Sequence, residues 1–454
     1  MKFESINPFT EERLAQFDFI SDEDLSTSLS KADDAQKQWR KVSVTDRAAF
    51  FNKLASLIKE RHEELALLAT FEMGKLLSEA KLEVLKCARG CEYYAANASA
   101  LLQSKISIAE TGKTVHQVYE PLGIVLGVFP WNFPYWQILR SAVPIVLAGN
   151  AILVKPAPNV PQCSLAIQQL INECGLPEGL MQVVFATEQQ VASCLADPRI
   201  KAATLTGSDK AGSAVASTAA KYIKKSVLEL GGSDPFIVME DADLEETLKQ
   251  AITARFQNNG QSCIAAKRFI LHEKIADEFL AKLTDRVASL ACGNPLFEGI
   301  SIGPLARKDL CEKLANQVIQ SVSKGAIKHY QQTNFPKHGY FYPPTILTNI
   351  NPNCDAYSQE LFGPVVSVYE VKNDDEAVML ANATEFGLGA SVWSKNINRA
   401  LNIANQIDSG QVFINEMVKS QPSHPFGGVK KSGYGRELGE FGLLEFCNIK
   451  TLWI

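Results

Sequence analysis

The stretch "QNNGQSCIAAKRF", residues 257–269, sets one cysteine, Cys263, among small and amide side chains with no histidine close by. A cysteine there can be a core filler, a redox thiol, a metal ligand or a nucleophile. A nucleophilic cysteine acts as its thiolate, and attack on a carbonyl creates an oxyanion that needs hydrogen-bond donors. Compatible groups lie elsewhere in the chain. Asn132, in "PWNFP", offers an amide, and Lys155 follows the apolar run "AILV". Gly207 and Ser208 follow "KAATLT" and open a helical stretch, where free N–H groups and the helix dipole favour a phosphate. Glu229 stands between Leu228 and Leu230 in "SVLEL", and a carboxylate in an apolar run is costly unless paired or used. Singly, a lysine after a strand is a solvated loop residue and "TGS" is a helix cap. Jointly, at strand ends, these residues describe a cleft.

The elements that must hold them are short. "GIVLGVF" (123–129), "AILV" (151–154), "QVVF" (182–185) and "KAATLT" (201–206) read as buried strands. "CSLAIQQLINECG" and the residues after Gly207 read as intervening helices. Strands alternating with helices predict a doubly wound parallel sheet of the α/β class, with ligands outside the strands' carboxyl ends. No G-x-G-x-x-G follows any strand. Before this region, Ser26 to Leu102 reads as helical, and "KISIAETGKTVHQVYEPLG" as a β-hairpin turning at Gly112. A second alternating region runs from about Pro235 to Gln421, with a boundary near "GGSD" (231–234).

The chain has 454 residues, a formal net charge of −5, 46% hydrophobic and 21% charged residues. That is an ordinary globular balance, without the basic excess that nucleic acid or acidic membranes would call for. The start lacks the basic flank and apolar core of a signal peptide, and the most apolar region is broken by proline and glycine, so a membrane span is not expected. Ten cysteines in a chain this long form no disulfide framework. There is no C-x-x-C and no H-E-x-x-H, and Cys87 and Cys91 lack a second ligand pair, so no metal is expected. A cytoplasmic protein with reduced thiols is the expectation.

"PWNFP", "LELGG", "GQSC", "QELFGP" and "HPFGGVKKSGYGRELGEFG" occur in the order and spacing of the aldehyde dehydrogenase superfamily, and the resemblance covers essentially the whole chain. "GQSCIAAKRFI" and "FGLLEFCNIKTLWI" resemble the short-form bacterial succinate-semialdehyde dehydrogenases. The resemblance implies that Cys263 attacks the aldehyde, that Asn132 and the Cys263 backbone N–H hold the oxyanion, and that Glu229 activates water against a thioester left after hydride transfer to a nicotinamide. It implies a cofactor held by Phe129, Pro130, Trp131, Lys155, Ala157, Pro158, Gly207, Ser208, Leu230, Glu360 and Phe362. It also implies a cofactor-binding domain (1–104 and 122–233), a catalytic domain (234–421), a return segment (422–439) and oligomerisation elements (105–121 and 440–454) of a homodimer or homotetramer.

The sequence departs from the family pattern at Pro158, where many NAD-using relatives carry an acid on the adenine ribose. Its absence removes repulsion against a 2′-phosphate, so NADP is favoured, with NAD possible. Ala265 replaces the second cysteine of relatives with a redox switch. Arg140 and Ser420 match positions that bind the substrate carboxylate in succinate-semialdehyde dehydrogenases, and a guanidinium suits that group. The alternative for Arg140 is a structural salt bridge. The expected function is oxidation of succinate semialdehyde. Glutarate semialdehyde, acyl transfer to coenzyme A and a non-catalytic binding role are the alternatives.

Overall fold

The structure, a computed structural model, describes residues 2–454. Four helices, Asp22–Trp39, Val44–Glu60, His62–Met73 and Leu77–Leu101, build the first hundred residues. The helical region thus begins at residue 22 rather than 26. Ser21 and Ser43 set the first two starts, each side chain accepting the N–H three residues on. Ahead of them lies a small antiparallel pair, Phe3–Ile6 with Arg13–Phe17, that is too short and too exposed on its second strand for hydrophobic alternation to announce.

The first large sheet has six strands in the order Gly433–Tyr434, Lys225–Glu229, Ile200–Thr206, Ile124–Val128, Ala151–Lys155 and Met181–Val183. All neighbours run parallel except Gly433–Tyr434, which joins the edge antiparallel, so part of the 422–439 segment completes this sheet. Its central strands are buried almost throughout, as strands covered by helices on both faces must be. The second sheet has seven strands, ordered Ile327–Gln331, Thr345–Thr348, Val365–Val371, Ala266–His272, Asp234–Val238, Ala390–Trp393 and Val412–Ile414. Only its first pair is antiparallel. The fold is therefore α/β with two parallel-rich sheets.

Helix Trp136–Leu147 was not foreseen. It is buried at every position, so no polar face gives a 3.6-residue period, and Pro144 interrupts it. Pro144 has no N–H to offer the Arg140 carbonyl one turn back, yet the helix continues to Leu147. The hairpin Lys105–Ile108 and Thr114–Pro121 gains a third strand, Cys447–Trp453, paired from Cys447↔Pro121 to Trp453↔Val115. No helix among the described residues is long and apolar enough to cross a membrane.

Candidate active site

Cys263 sits just before strand Ala266–His272, on a loop pinned from several sides. Asn258 and Asn259 both take the left-handed conformation, with φ of 57° and 56°, which asparagine tolerates better than most residues. Their amides fix the turn. Asn258 Nδ2 donates to the carbonyls of Asn132 (2.8 Å) and Gln261 (3.0 Å), and Asn259 Nδ2 to those of Gly74 and Pro304. Gly260 passes so close to Gly363 that a Cβ would meet its backbone at 2.5 Å. Lys267 Nζ binds the carbonyls of Ser262 (2.7 Å) and Cys263 (2.5 Å) and pairs with Glu360 at 2.9 Å. The cysteine's position is thus built by packing and hydrogen bonds from distant segments.

Burial pushes the Cys263 thiol up to about 11, while Arg140 and Lys267 pull the other way. By surface area the residue is only half-buried, so a small reactant can reach it. The Cys263 backbone N–H donates to no acceptor among the described residues. Asn132 is buried, its Nδ2 donating to the Gln261 carbonyl at 3.1 Å, which leaves the second N–H of that amide unspent. Two donors beside a thiol form the arrangement an oxyanion requires.

Glu229 ends strand Lys225–Glu229, buried, and neither carboxylate oxygen finds a protein partner among the described residues. Desolvation first, then the Glu437 charge, hold its carboxyl well above the ordinary 4.5, against the opposing pull of Arg140 and Arg436. A buried, raised carboxyl suits general acid–base work.

A cleft of about 420 Å³ joins Cys263 and Asn132 to the sheet ends, while Glu229 lies behind its wall, next to the lining residue Leu230. Pro130, Trp131, Asn132, Gly207, Ser208, Leu230, Cys263, Glu360 and Phe362, all singled out from sequence, line it. Phe129, Lys155, Ala157 and Pro158 do not. The Phe129 ring is buried under Gly127, where a Cβ would meet it at 2.5 Å. Pro158 is exposed, and its carbonyl accepts from Glu4 N–H at 2.9 Å. Burial pushes the half-buried Lys155 ammonium down.

The cleft's shape and donors fit a dinucleotide. Ser208 caps helix Asp209–Lys221, whose N-terminus opens on the cleft. Glu360 Oε1 is held by Lys267 and by Gly232 N–H (3.2 Å), and Oε2 lies where a Cβ on Gly231 would stand, 2.5 Å away. Glycine at 231 therefore keeps this wall open. Phe362 packs edge-on to Trp131, their centroids 5.8 Å apart.

Arg140 lies on helix Trp136–Leu147, buried, with Nε 2.6 Å from Glu437 Oε2. The two atoms meet without hydrogen-bond geometry, so the contact is coulombic. Nη2 reaches Thr206 Oγ1 at 3.4 Å, and the guanidinium lies over the Phe426 ring. Arg140 is thus in an ion pair and off the cleft lining. Ser420 Oγ is buried and accepts from Lys86 Nζ (2.7 Å) and Trp136 Nε1 (3.2 Å).

Sequence reasoning passed over Glu83, Lys86, Lys267 and Glu437. Glu83 pairs with Lys75 and accepts the N–H groups of Tyr135 and Trp136 at 3.0 Å, anchoring the start of the helix that bears Arg140. Glu79, Glu83 and Lys86 share one face of helix Leu77–Leu101 at four- and three-residue steps, beside the buried Ala80, Val84 and Cys87. Charge on a mostly buried helix face was the available signal. Cys87 and Cys91 are packed in the core, where burial raises both thiols.

The chain matches the sequence profile described as the aldehyde dehydrogenase family over residues 1–452. It is 45% identical to succinate-semialdehyde dehydrogenase (NADP(+)) 1 of Mycobacterium tuberculosis (strain ATCC 25618 / H37Rv), covering all of both chains. It is 45% identical to a succinate-semialdehyde dehydrogenase (NADP(+)) of Mycobacterium avium (strain 104), covering all of this chain and 97% of that one. Its fold is similar to the crystal structure of succinic semialdehyde dehydrogenase from Streptococcus pyogenes in complex with NADP+, with a TM-score of 0.97, 35% identity and 99% of each chain covered.

Proposed function

The chain belongs to the aldehyde dehydrogenase family, and from that premise we propose that it oxidises succinate semialdehyde to succinate, with NADP as hydride acceptor and Cys263 as nucleophile. The observation that carries the reading is the meeting, in one cleft, of the Cys263 thiol, its free backbone N–H and the Asn132 amide, with a capped helix start at the other end. Cys263 gives up its thiol proton to solvent, the thiolate sulfur adds to the aldehyde carbon, and the two donors take the charge on its oxygen. The chemistry a bound nicotinamide cofactor supplies is acceptance of one hydride. Glu229 then takes a proton from water, which attacks the Cys263 thioester and releases the acid and the thiol.

The names of the relatives support the substrate and cofactor. Pro158 supports NADP as well, because no carboxylate stands there to repel a 2′-phosphate. In this reading Gly207 and Ser208 hold the pyrophosphate, and Glu360 Oε2 with Phe362 holds the nicotinamide ribose. Phe129, Pro130, Trp131, Lys155, Ala157 and Pro158 serve the adenosine end. Arg140 and Ser420 serve the substrate carboxylate, Arg140 through its field, since it is paired with Glu437 and lies off the cleft lining. Glutarate semialdehyde, one methylene longer, is the nearest competing substrate, since a methylene discriminates by only about 1–3 kcal/mol. Glu229 disfavours transfer to coenzyme A, which needs no water-activating base.

The domain division also belongs to this reading: cofactor binding by 1–104 and 122–233, catalysis by 234–421. The three-stranded sheet exposes Ile106, Ile108, Ile449 and Trp453, which supports its use between subunits of a cytoplasmic homodimer or homotetramer. Initial rates on C3 to C6 semialdehydes and neutral aldehydes, each with NAD and NADP, test the whole. Highest kcat/KM for succinate semialdehyde with NADP is expected. A neutral aldehyde as best substrate would overturn the substrate assignment.

A further inference from the structure

Lys267 is the second residue of strand Ala266–His272, and its side chain is buried. Its ammonium turns back to the nucleophile's loop. It donates to the Ser262 carbonyl (2.7 Å) and the Cys263 carbonyl (2.5 Å), and it pairs with Glu360 Oε1 at 2.9 Å. A single cation thus holds the peptide groups on both sides of Cys263.

The first of those peptides carries the argument. Its carbonyl belongs to Ser262 and its N–H to Cys263, and that N–H has no acceptor among the described residues. The peptide is trans, as all are among the described residues, so its oxygen and its hydrogen point in opposite directions. Holding the oxygen therefore aims the hydrogen. The Ala265 N–H shares the Ser262 oxygen at 3.1 Å, so both lone pairs are taken, and the peptide turns over only by breaking two bonds. Gly232 backs the Cys263 carbonyl so closely that a Cβ there would stand 2.6 Å from its oxygen. An ammonium on a carbonyl oxygen also polarises the peptide, which makes its N–H a stronger donor. The same charge pulls the Cys263 thiol down, against burial.

We propose that Lys267 is a positioning residue for the oxidation, gripping the Ser262 carbonyl so that the Cys263 N–H is aimed and polarised toward the oxyanion. The proposal rests on the reading of Cys263 as the nucleophile with its own N–H as an oxyanion donor. The rival role, counter-ion to Glu360 alone, acts only through a bound cofactor.

The test compares two reactions of Cys263 that need no cofactor. With p-nitrophenyl acetate the thiolate sulfur adds to the ester carbonyl, an oxyanion forms and collapses, and p-nitrophenolate leaves. With iodoacetamide the same thiolate displaces iodide, and no oxyanion forms. Acetylation is read as first-turnover release of p-nitrophenolate beyond that of Cys263→Ser, and alkylation on the Cys263 peptide by mass spectrometry. The ratio of the two rates cancels a change in the thiolate fraction. Wild type is compared with Lys267→Met, with Asn132→Ala and with Lys267→Met/Glu360→Gln, in which Glu360 is not left as a stranded carboxylate. The ratio should fall about tenfold or more in both Lys267 variants, toward the roughly 10²–10³-fold that outright loss of a donor costs. It should fall in Asn132→Ala as well. A fall in Asn132→Ala with none in either Lys267 variant would overturn the proposal and leave the oxyanion site standing. No fall in any variant would overturn both.

Discussion

Arg140 Nε lies 2.6 Å from Glu437 Oε2, and both side chains are almost fully shielded from solvent. An arginine that the sequence offers as a free carboxylate receptor is already half-committed to a carboxylate of its own. Arg140→Leu should therefore do more than weaken substrate binding. It leaves Glu437 buried without its cation, which costs about 3–5 kcal/mol. Arg140→Leu/Glu437→Gln should regain most of that stability in denaturant titration, because no charge is then stranded. If Arg140→Leu alone unfolds at the wild-type midpoint, the ion pair contributes nothing.

Glu229 gives a prediction in pH. Its proton is held above the ordinary 4.5 in the folded protein, mainly by burial. Its favourable contribution is therefore complete below about pH 4.5 and is lost as the pH rises through the raised value. Glu229→Gln should remove that loss, so the variant should gain thermal stability over wild type as the pH becomes alkaline. A constant difference in Tm across the pH range would contradict the raised carboxyl.

How much of this was legible in the sequence depends on where each constraint lives. Asn132, Gly207, Ser208 and Glu229 close or follow contiguous apolar strands, so local pattern and family motifs both point at them, whereas Cys263, on the loop before strand Ala266–His272, is marked by its motif. Lys86 and Ser420 are 334 positions apart, and their hydrogen bond exists only once the chain has folded. The Arg140–Glu437 pair is of the same kind. Helix Trp136–Leu147 stayed hidden for a different reason: it is buried all round, so the helical period has no polar face to show it.

The thiol of Cys263 offers a direct check on its surroundings. Without cofactor, burial holds it at about 11, so the thiolate is a small minority at neutral pH. Alkylation of Cys263 by iodoacetamide, followed by peptide mass spectrometry, should speed up about tenfold per pH unit between about pH 7 and 10. A plateau below pH 8 would mean that a cation lowers this thiol more than burial raises it.

Pro158 is exposed, and only its carbonyl is engaged, with Glu4. Pro158→Glu keeps that acceptor and adds a negative charge. The ratio of kcat/KM with NADP to that with NAD should fall by about tenfold or more, since repulsion of a 2′-phosphate at close range is worth over 1.4 kcal/mol. An unchanged ratio would place the adenine ribose elsewhere.

The central claim is that Cys263 carries the acyl group and Glu229 frees it. Glu229→Gln mixed with succinate semialdehyde and NADP should release about one equivalent of NADPH per site, then slow by about 10²–10⁴-fold. Quenched at that point and digested, it should show a succinyl group on the Cys263 peptide by mass spectrometry. A burst without an acyl group on Cys263, or an acyl group on another cysteine, would contradict the account.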